Sequence, residues 1–471
     1  MPSSKTDHDQ PDGAVPARAP EAFSLRAAGP LRGDVSAPGD KSISHRALIL
    51  GAMADGETTV TGLLEGDDVL RTAAAMRALG AHIERDGRGA GAVWRIAGAH
   101  APVPGKPGAL EKPLYFGNAG TGARLVMGAA AGRGIAASFD GDQSLRARPM
   151  DRIADPLALM GVQCRPLGEP DEKGGPLRLP CTVEPPEKLK AIDYTLPKPS
   201  AQIKSAILLA ALGAEGETVI REPEPCRDHS ERMLAAFGAK LSITTERSGR
   251  VIRLAGPQRV TACNTAVPGD PSSAAFPIAA ALIVEGSDIV VRDVLVNPLR
   301  AGFYETLVEM GADISFENRR EVSGEPIADI RARYSPRLKG VAAPASRSAS
   351  MIDEYPILAI VAAFADGDTY MPGVQELRVK ESDRIASVEA GLKANGVGVE
   401  SGGDWMRVMG RGRTVAGGGR VSTHHDHRIA MSFLVMGLAT QKPAAIDDAA
   451  MIATSFPTFF DLMAQLGAAG R

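Results

Sequence analysis

The chain has 471 residues, 44% of them hydrophobic, 23% charged and only 4% aromatic, with a formal net charge of −3. That length exceeds one ordinary core, so two domains are expected, with interiors built from Ala, Leu, Ile, Val and Met. The slight acidity excludes a nucleic-acid surface held by bulk charge, yet leaves room for a local basic pocket around a small anion.

In chain order, residues 1–22 are rich in Pro, Ala, Asp and Ser and read as a disordered tail. They lack the apolar run of a signal peptide, and Asp7, Asp9 and Asp12 argue against a transit peptide. Six amphipathic stretches then follow, each ending in a glycine: Gly80, Gly161, Gly238, Gly311, Gly396 and Gly467. Glycine suits the left-handed position that closes a helix. Between them lie six apolar runs without a clear polar face: ISHRALILGAMA, GARLVMGAAAG, AQIKSAILLAALG, SSAAFPIAAALI, DEYPILAIVAAFA and HRIAMSFLVMGLA. Helices apolar nearly all round are buried, and these are too short for a membrane span. Each unit therefore reads as strand, buried helix, strand, surface helix, strand, strand. The six units split three and three, because PGDKS at 38–42 is echoed by PGDPS at 268–272. Both sites are candidate crossovers. The expected fold is α/β (α+β), with an N-terminal domain at 39–268 and a C-terminal one of 24–38 plus 269–471. Gly/Pro-rich stretches near 86–113 and 165–190 read as long hairpins or loops.

Polar residues concentrate at the starts of the apolar runs, where a helix N-terminus offers free N–H groups and a partial positive charge to an anion. Lys41, Ser42 and Arg46 fall on about one helical turn, with Arg as a fork and Lys as a point charge for phosphate. Asp40 stands where a Walker A loop has Gly, so ATP is disfavoured. No G-x-G-x-x-G with its distal acid occurs either, which removes support for a nicotinamide cofactor. The four cysteines (Cys164, Cys181, Cys226 and Cys263) make neither C-x-x-C pairs nor zinc spacing. Reduced thiols in a cytoplasmic protein without a metal are expected.

The segments PGDKSISHRAL, FGNAGTGAR, RARPM, PSAQIKSA, SMIDEYP, LRVKESDR, DHRIAMSF and ATSFP occur in that order. Together they resemble the signature segments of EPSP synthases, especially the bacterial type with Ser-Ala-Gln. The resemblance runs from about residue 24 to the C-terminus. It implies two similar domains of three βαβαββ units closing over the substrates. It also implies transfer of an enolpyruvyl group from phosphoenolpyruvate to the 5-hydroxyl of shikimate 3-phosphate, by addition and elimination, without metal or organic cofactor. A monomer with only these small-molecule partners is expected, and glyphosate becomes a candidate inhibitor.

Matching the motifs implies that Lys41, Ser42, Arg46, Ser200, Ala201 (through its backbone), Gln202, Arg227, Asp353 and Lys380 hold shikimate 3-phosphate. Lys41, Gly120, Arg148, Gln202, Arg384 and Arg428 are implied around phosphoenolpyruvate. Addition needs a base at the sugar hydroxyl and an acid at the methylene carbon. Asp353 is the expected base and Glu381 the expected acid, with Lys41 stabilising the leaving phosphate or sharing the proton transfers. Thr454 stands where many members of the family carry Lys. The rival reading is a UDP-N-acetylglucosamine enolpyruvyl transferase, whose reactive Cys is missing from the loop DGDQSLRARP. A non-catalytic phosphometabolite-binding protein is the alternative from another class.

Overall fold

The computed structural model describes residues 23–98, 112–168 and 175–470. The expected tail at 1–22 and parts of both Gly/Pro-rich stretches lie outside these residues. The six closing glycines each follow the end of a helix with one residue between: Asp67–Ala78, Asp151–Leu159, His229–Ala236, Gly302–Glu309, Arg384–Ala394 and Phe459–Gln465. All six take φ between +81° and +103°, which a Cβ resists and glycine does not.

The apolar runs form the helices Lys41–Met53, Gly120–Gly132, Ala201–Ala211, Pro271–Ile283, Tyr355–Ala363 and His427–Gly437. Every residue of the Pro271 and Tyr355 helices is buried, so neither needs a polar face. Three of the six lie in each of two hydrophobic cores.

Four of the six units form four-stranded sheets of one pattern. In the second unit, Leu114–Tyr115 runs parallel to Ala137–Asp140, and Cys181–Glu184 and Gln163–Pro166 follow in spatial order. The leading strands of the first and fourth units are exchanged. Thr265–Ala266 runs parallel to Glu57–Thr61, far earlier in the chain, and Arg32–Ser36 runs parallel to Asp288–Leu295. The last two units are reduced. Ahead of the Tyr355 helix two isolated parallel bridges, Lys339 to Asp366 and Ala342 to Tyr370, stand for the leading strand. Pro344, two residues after Ala342, has no N–H to extend the ladder. The final strand, Ala468–Gly470, takes its partner from the start of the chain, Leu25–Ala27.

The two PGD segments meet. Asp40 N–H donates to the Pro268 carbonyl at 2.7 Å, and Asp270 N–H donates to Pro38 at 2.8 Å. A Cβ on Gly39 would strike the Gly62 carbonyl, so this crossover tolerates only glycine. Arg300, 3% exposed, lies between the two aspartates, 3.3 Å from Asp40 Oδ2 and 3.2 Å from Asp270 Oδ1, and donates to Ser272 Oγ at 2.8 Å. A second clasp joins His229 Nδ1 to Glu325 at 2.7 Å, while Asn297 donates to both Asp228 and Glu325. Removing one partner of a buried ionic group costs about 3–5 kcal/mol. Arg300→Met therefore lowers the free energy of chemical unfolding by that order, and an unchanged value would show that the two aspartates do not depend on a shared cation.

Candidate active site

One cleft of about 1040 Å³ receives the starts of all six buried helices. Its lining includes Asp40, Lys41 and Ser42 from the first, Gly120 and Thr121 from the second, and Ser200, Ala201 and Gln202 from the third. The other three contribute Asp270 and Ser272, Asp353 just ahead of the Tyr355 helix, and Arg428. Asp40, Ser200, Asp270 and Asp426 cap their helices through their side chains. The Gly120 helix has no side-chain cap, so its first-turn N–H groups are the better placed to receive an anion.

Lys41 and the arginines give the N-terminal wall its charge. Lys41 Nζ sits 3.1 Å from Asp68 Oδ2. Burial pulls its pKa down, but Asp68 and Glu381 outweigh that and hold the ammonium above its ordinary value. Arg124 donates to Gln202 Oε1 at 2.9 Å and Gln202 donates to Thr121 Oγ1 at 2.9 Å, which fixes the amide. The Arg124 Nε is buried without a partner. Burial, then the like charges of Arg152 and Arg148, push its pKa down to about 9. Three guanidiniums crowded together favour an anion between them. Gly120 is packed closely beside them: a Cβ there would lie 3.2 Å from Arg124 Nη1 and 3.4 Å from Arg148 Nη1.

The opposite wall centres on Asp353. Its carboxylate meets Arg227 at 2.8 Å, Arg384 at 3.4 Å and Arg428 at 4.0 Å. Burial raises its pKa, but Arg428, Lys380, Arg227 and Arg384 outweigh it and keep the carboxyl well below the usual range. Glu381 is also held well below its ordinary value, where Arg384, 2.6 Å away, and then His427 and Arg148 outweigh burial. Burial, followed by the charges of Arg428 and Lys41, pushes His427 down to about 4, so it is neutral at pH 7.

The expected residues Lys41, Ser42, Gly120, Arg148, Ser200, Ala201, Gln202, Arg227, Asp353, Lys380, Glu381 and Arg428 all line this cleft. Arg46 and Arg384 do not. Arg46, 3% exposed, turns inward and braces the first helix against Ser205 and Ser230, at 2.7 and 2.8 Å. It therefore lies behind Ser42 instead of on the wall where a direct phosphate contact was expected. Arg384, 1% exposed, stands behind Asp353, Glu381 and Asp426 and bonds all three. Thr454 donates to the Met451 carbonyl and brings no cation. Asp68, Arg124, Arg152 and Arg300 also line the cleft and were not singled out from sequence. Arg124 ends the quoted Gly-rich segment, which was the available signal. Asp68 lies in an amphipathic surface-helix pattern, and nothing local marks it.

A family model described as EPSP synthase (3-phosphoshikimate 1-carboxyvinyltransferase) matches residues 25–463. The chain belongs to the EPSP synthase family. The 3-phosphoshikimate 1-carboxyvinyltransferase of Roseobacter denitrificans is 55% identical over 451 residues, covering 96% of this chain and 97% of the relative. That of Methylorubrum populi is 54% identical, with 95% and 97% covered. The solved EPSP synthase of Acinetobacter baumannii superposes with a TM-score of 0.82 at 44% identity, over 96% of this chain and 99% of that one. The enolpyruvyl transferase NikO from Streptomyces tendae shares the fold at a TM-score of 0.71 and 17% identity, again over 96% and 99% of the two chains.

Proposed function

We propose that the chain transfers the enolpyruvyl group of phosphoenolpyruvate to the 5-hydroxyl of shikimate 3-phosphate, releasing phosphate. The observation that carries this reading is the convergence of six helix N-termini and Lys41, Arg148, Lys380 and Arg428 on one cleft, with Asp353 among them. Two substrates bearing two phosphates and two carboxylates need that many positive groups.

In this reading Ser42, Ser200, Arg227 and Lys380 hold the sugar phosphate, with Gln202 and the Ala201 backbone beside them. Arg148, Gly120 and Arg428 surround phosphoenolpyruvate. Asp353, ionised and at the cleft surface, takes the 5-hydroxyl proton as the sugar oxygen attacks C2. The methylene carbon takes a proton from Glu381. In elimination, that methyl group returns a proton and phosphate departs against Lys41. Glu381 is paired with Arg384 behind the wall, so its acid role requires that the phosphoenolpyruvate anions offset the charges of Arg148 and Lys41, which face the cleft and help to hold it ionised. Arg46 and Arg384 then act by fixing Ser42 and the two carboxylates.

The exchanged strands and the two cores support domain limits at 39–268, and at 24–38 with 269–471. No helix among the described residues is long and apolar enough to cross a membrane. All four cysteines are free thiols, which suits a cytoplasmic enzyme. Large exposed apolar side chains such as Leu159, Ile243 and Val308 sit on separate elements, which suits a monomer.

The reading predicts inorganic phosphate release from shikimate 3-phosphate plus phosphoenolpyruvate, and none when UDP-N-acetylglucosamine replaces the sugar acid. Release with the nucleotide sugar alone would move the chain to the rival reaction, and binding without release would make it a non-catalytic binder. The close packing at Gly120 gives a second expectation. A methyl group there presses on Arg124 and Arg148, and glyphosate, longer than phosphoenolpyruvate, has less room to adjust. Gly120→Ala raises the glyphosate inhibition constant more than the KM for phosphoenolpyruvate, whereas equal shifts would remove the steric account.

A further inference from the structure

Arg227 joins the two walls. It lies on the loop between strand Gly216–Glu222 and helix His229–Ala236, and its Nη2 donates to Asp353 Oδ2 at 2.8 Å. The loop is held from behind. Lys204, fully buried, donates to Glu222 Oε1 at 2.8 Å and to the Cys226 carbonyl at 3.3 Å, and lies 2.8 Å from Glu231. The Cys226 N–H also donates to Glu222, at 2.9 Å. This network sets the backbone just ahead of Arg227 and leaves its long side chain to choose partners. The pair with Asp353 is only partly covered, at 18% and 19% side-chain exposure.

Asp353 is faced by two kinds of cation. Lys380, Arg384 and Arg428 belong to its own half of the molecule, as do its acidic neighbours Glu354 and Glu381. Arg227 alone among its four principal cations comes from the half that carries Lys41, Ser42 and Ser200. A phosphate carries about −1.5 to −2 charge and three acceptor oxygens, against one charge on a carboxylate. An arginine fork offered both partners goes to the phosphate.

We propose that Arg227 is a substrate-operated positioning residue. It pairs with Asp353 until the 3-phosphate of the sugar draws it away, so the base is released only when the phosphorylated substrate is seated. The exchange breaks no covalent bond and rests on the reading of Asp353 as base. Once Arg227 has moved, the basicity of Asp353 rises, and it can accept the 5-hydroxyl proton. The 3-phosphate then contributes to turnover as well as to binding.

The test compares the wild-type chain with Arg227→Gln and Arg227→Lys, using shikimate 3-phosphate and unphosphorylated shikimate, each with phosphoenolpyruvate. In the wild type the 3-phosphate raises kcat, and in Arg227→Gln that ratio of kcat values falls by at least about 10-fold, with part restored in Arg227→Lys. The acid limb of kcat/KM, which reports the free enzyme, moves to higher pH in Arg227→Gln, while that of kcat stays in place. A variant that raises KM alone, with both the kcat ratio and the acid limbs unmoved, would make Arg227 a plain phosphate ligand and overturn the proposal. Equal loss of kcat on both sugars, with no shift in either limb, would reduce it to a structural role. Absence of phosphate release by the wild type would instead defeat the reaction assigned above.

Discussion

Asp353→Ala lowers kcat by at least about 100-fold while circular dichroism and the unfolding midpoint stay close to wild type, the scale expected when a positioned base is lost. The argument is one of geometry and charge. Asp353 is the carboxylate on the cleft wall that Arg227, Arg384 and Arg428 approach together, at 2.8, 3.4 and 4.0 Å. The sign of the pH dependence follows. Its carboxyl stands well below the usual aspartate value of about 3.9, so the free enzyme keeps its base as pH falls through that value. The acid limb of kcat/KM due to this group lies lower still. A variant within a few-fold of wild-type turnover would give the base role to another residue.

Lys41→Met is expected to cost a similar factor, at least about 100-fold in kcat, because it removes a fixed positive charge where the phosphate leaves. Methionine fills the same volume, so packing around the first helix is retained. The ammonium lies between Asp68, at 3.1 Å, and the field of Glu381, which together hold it protonated despite burial. Losing it leaves Asp68 without its partner, but that pair is near the cleft surface and the fold does not rest on it. If kcat were unchanged and only KM rose, Lys41 would bind both states equally and take no part in the chemistry.

Much of this was legible in the sequence for physical reasons. Glycine at the left-handed closing position and helices apolar on every side are signals that tertiary context rarely overrides, so the helices of all six units could be read. The repeated PGD pointed to the crossovers, and SLRAAGPLRGDVSA before the first of them was the source of strands for the C-terminal half. The reduced fifth and sixth units were not legible, because a leading strand can shrink to isolated bridges without altering the helix pattern around it.

Arg46 shows the limit of spacing arguments. Five residues after Lys41, it is rotated about 140° around a helix of 3.6 residues per turn, so the two side chains leave the helix in different directions. Its alignment with Ser42, four residues earlier, instead lets it donate to the Ser42 carbonyl at 2.9 Å. Arg384 was expected at the ligand, but three carboxylates claim its guanidinium first. Asp68 and Arg300 enter the cleft through packing between distant segments, which no local pattern encodes.

A crystal structure of the chain with both substrates, or with the product pair, tests the central claim most directly. The account predicts the sugar phosphate against Ser42, Ser200, Arg227 and Lys380, the 5-hydroxyl against Asp353, and the second anion between Arg148, Gly120 and Arg428. Ligands seated where Lys41, Arg148, Asp353 and Arg428 do not converge would contradict it.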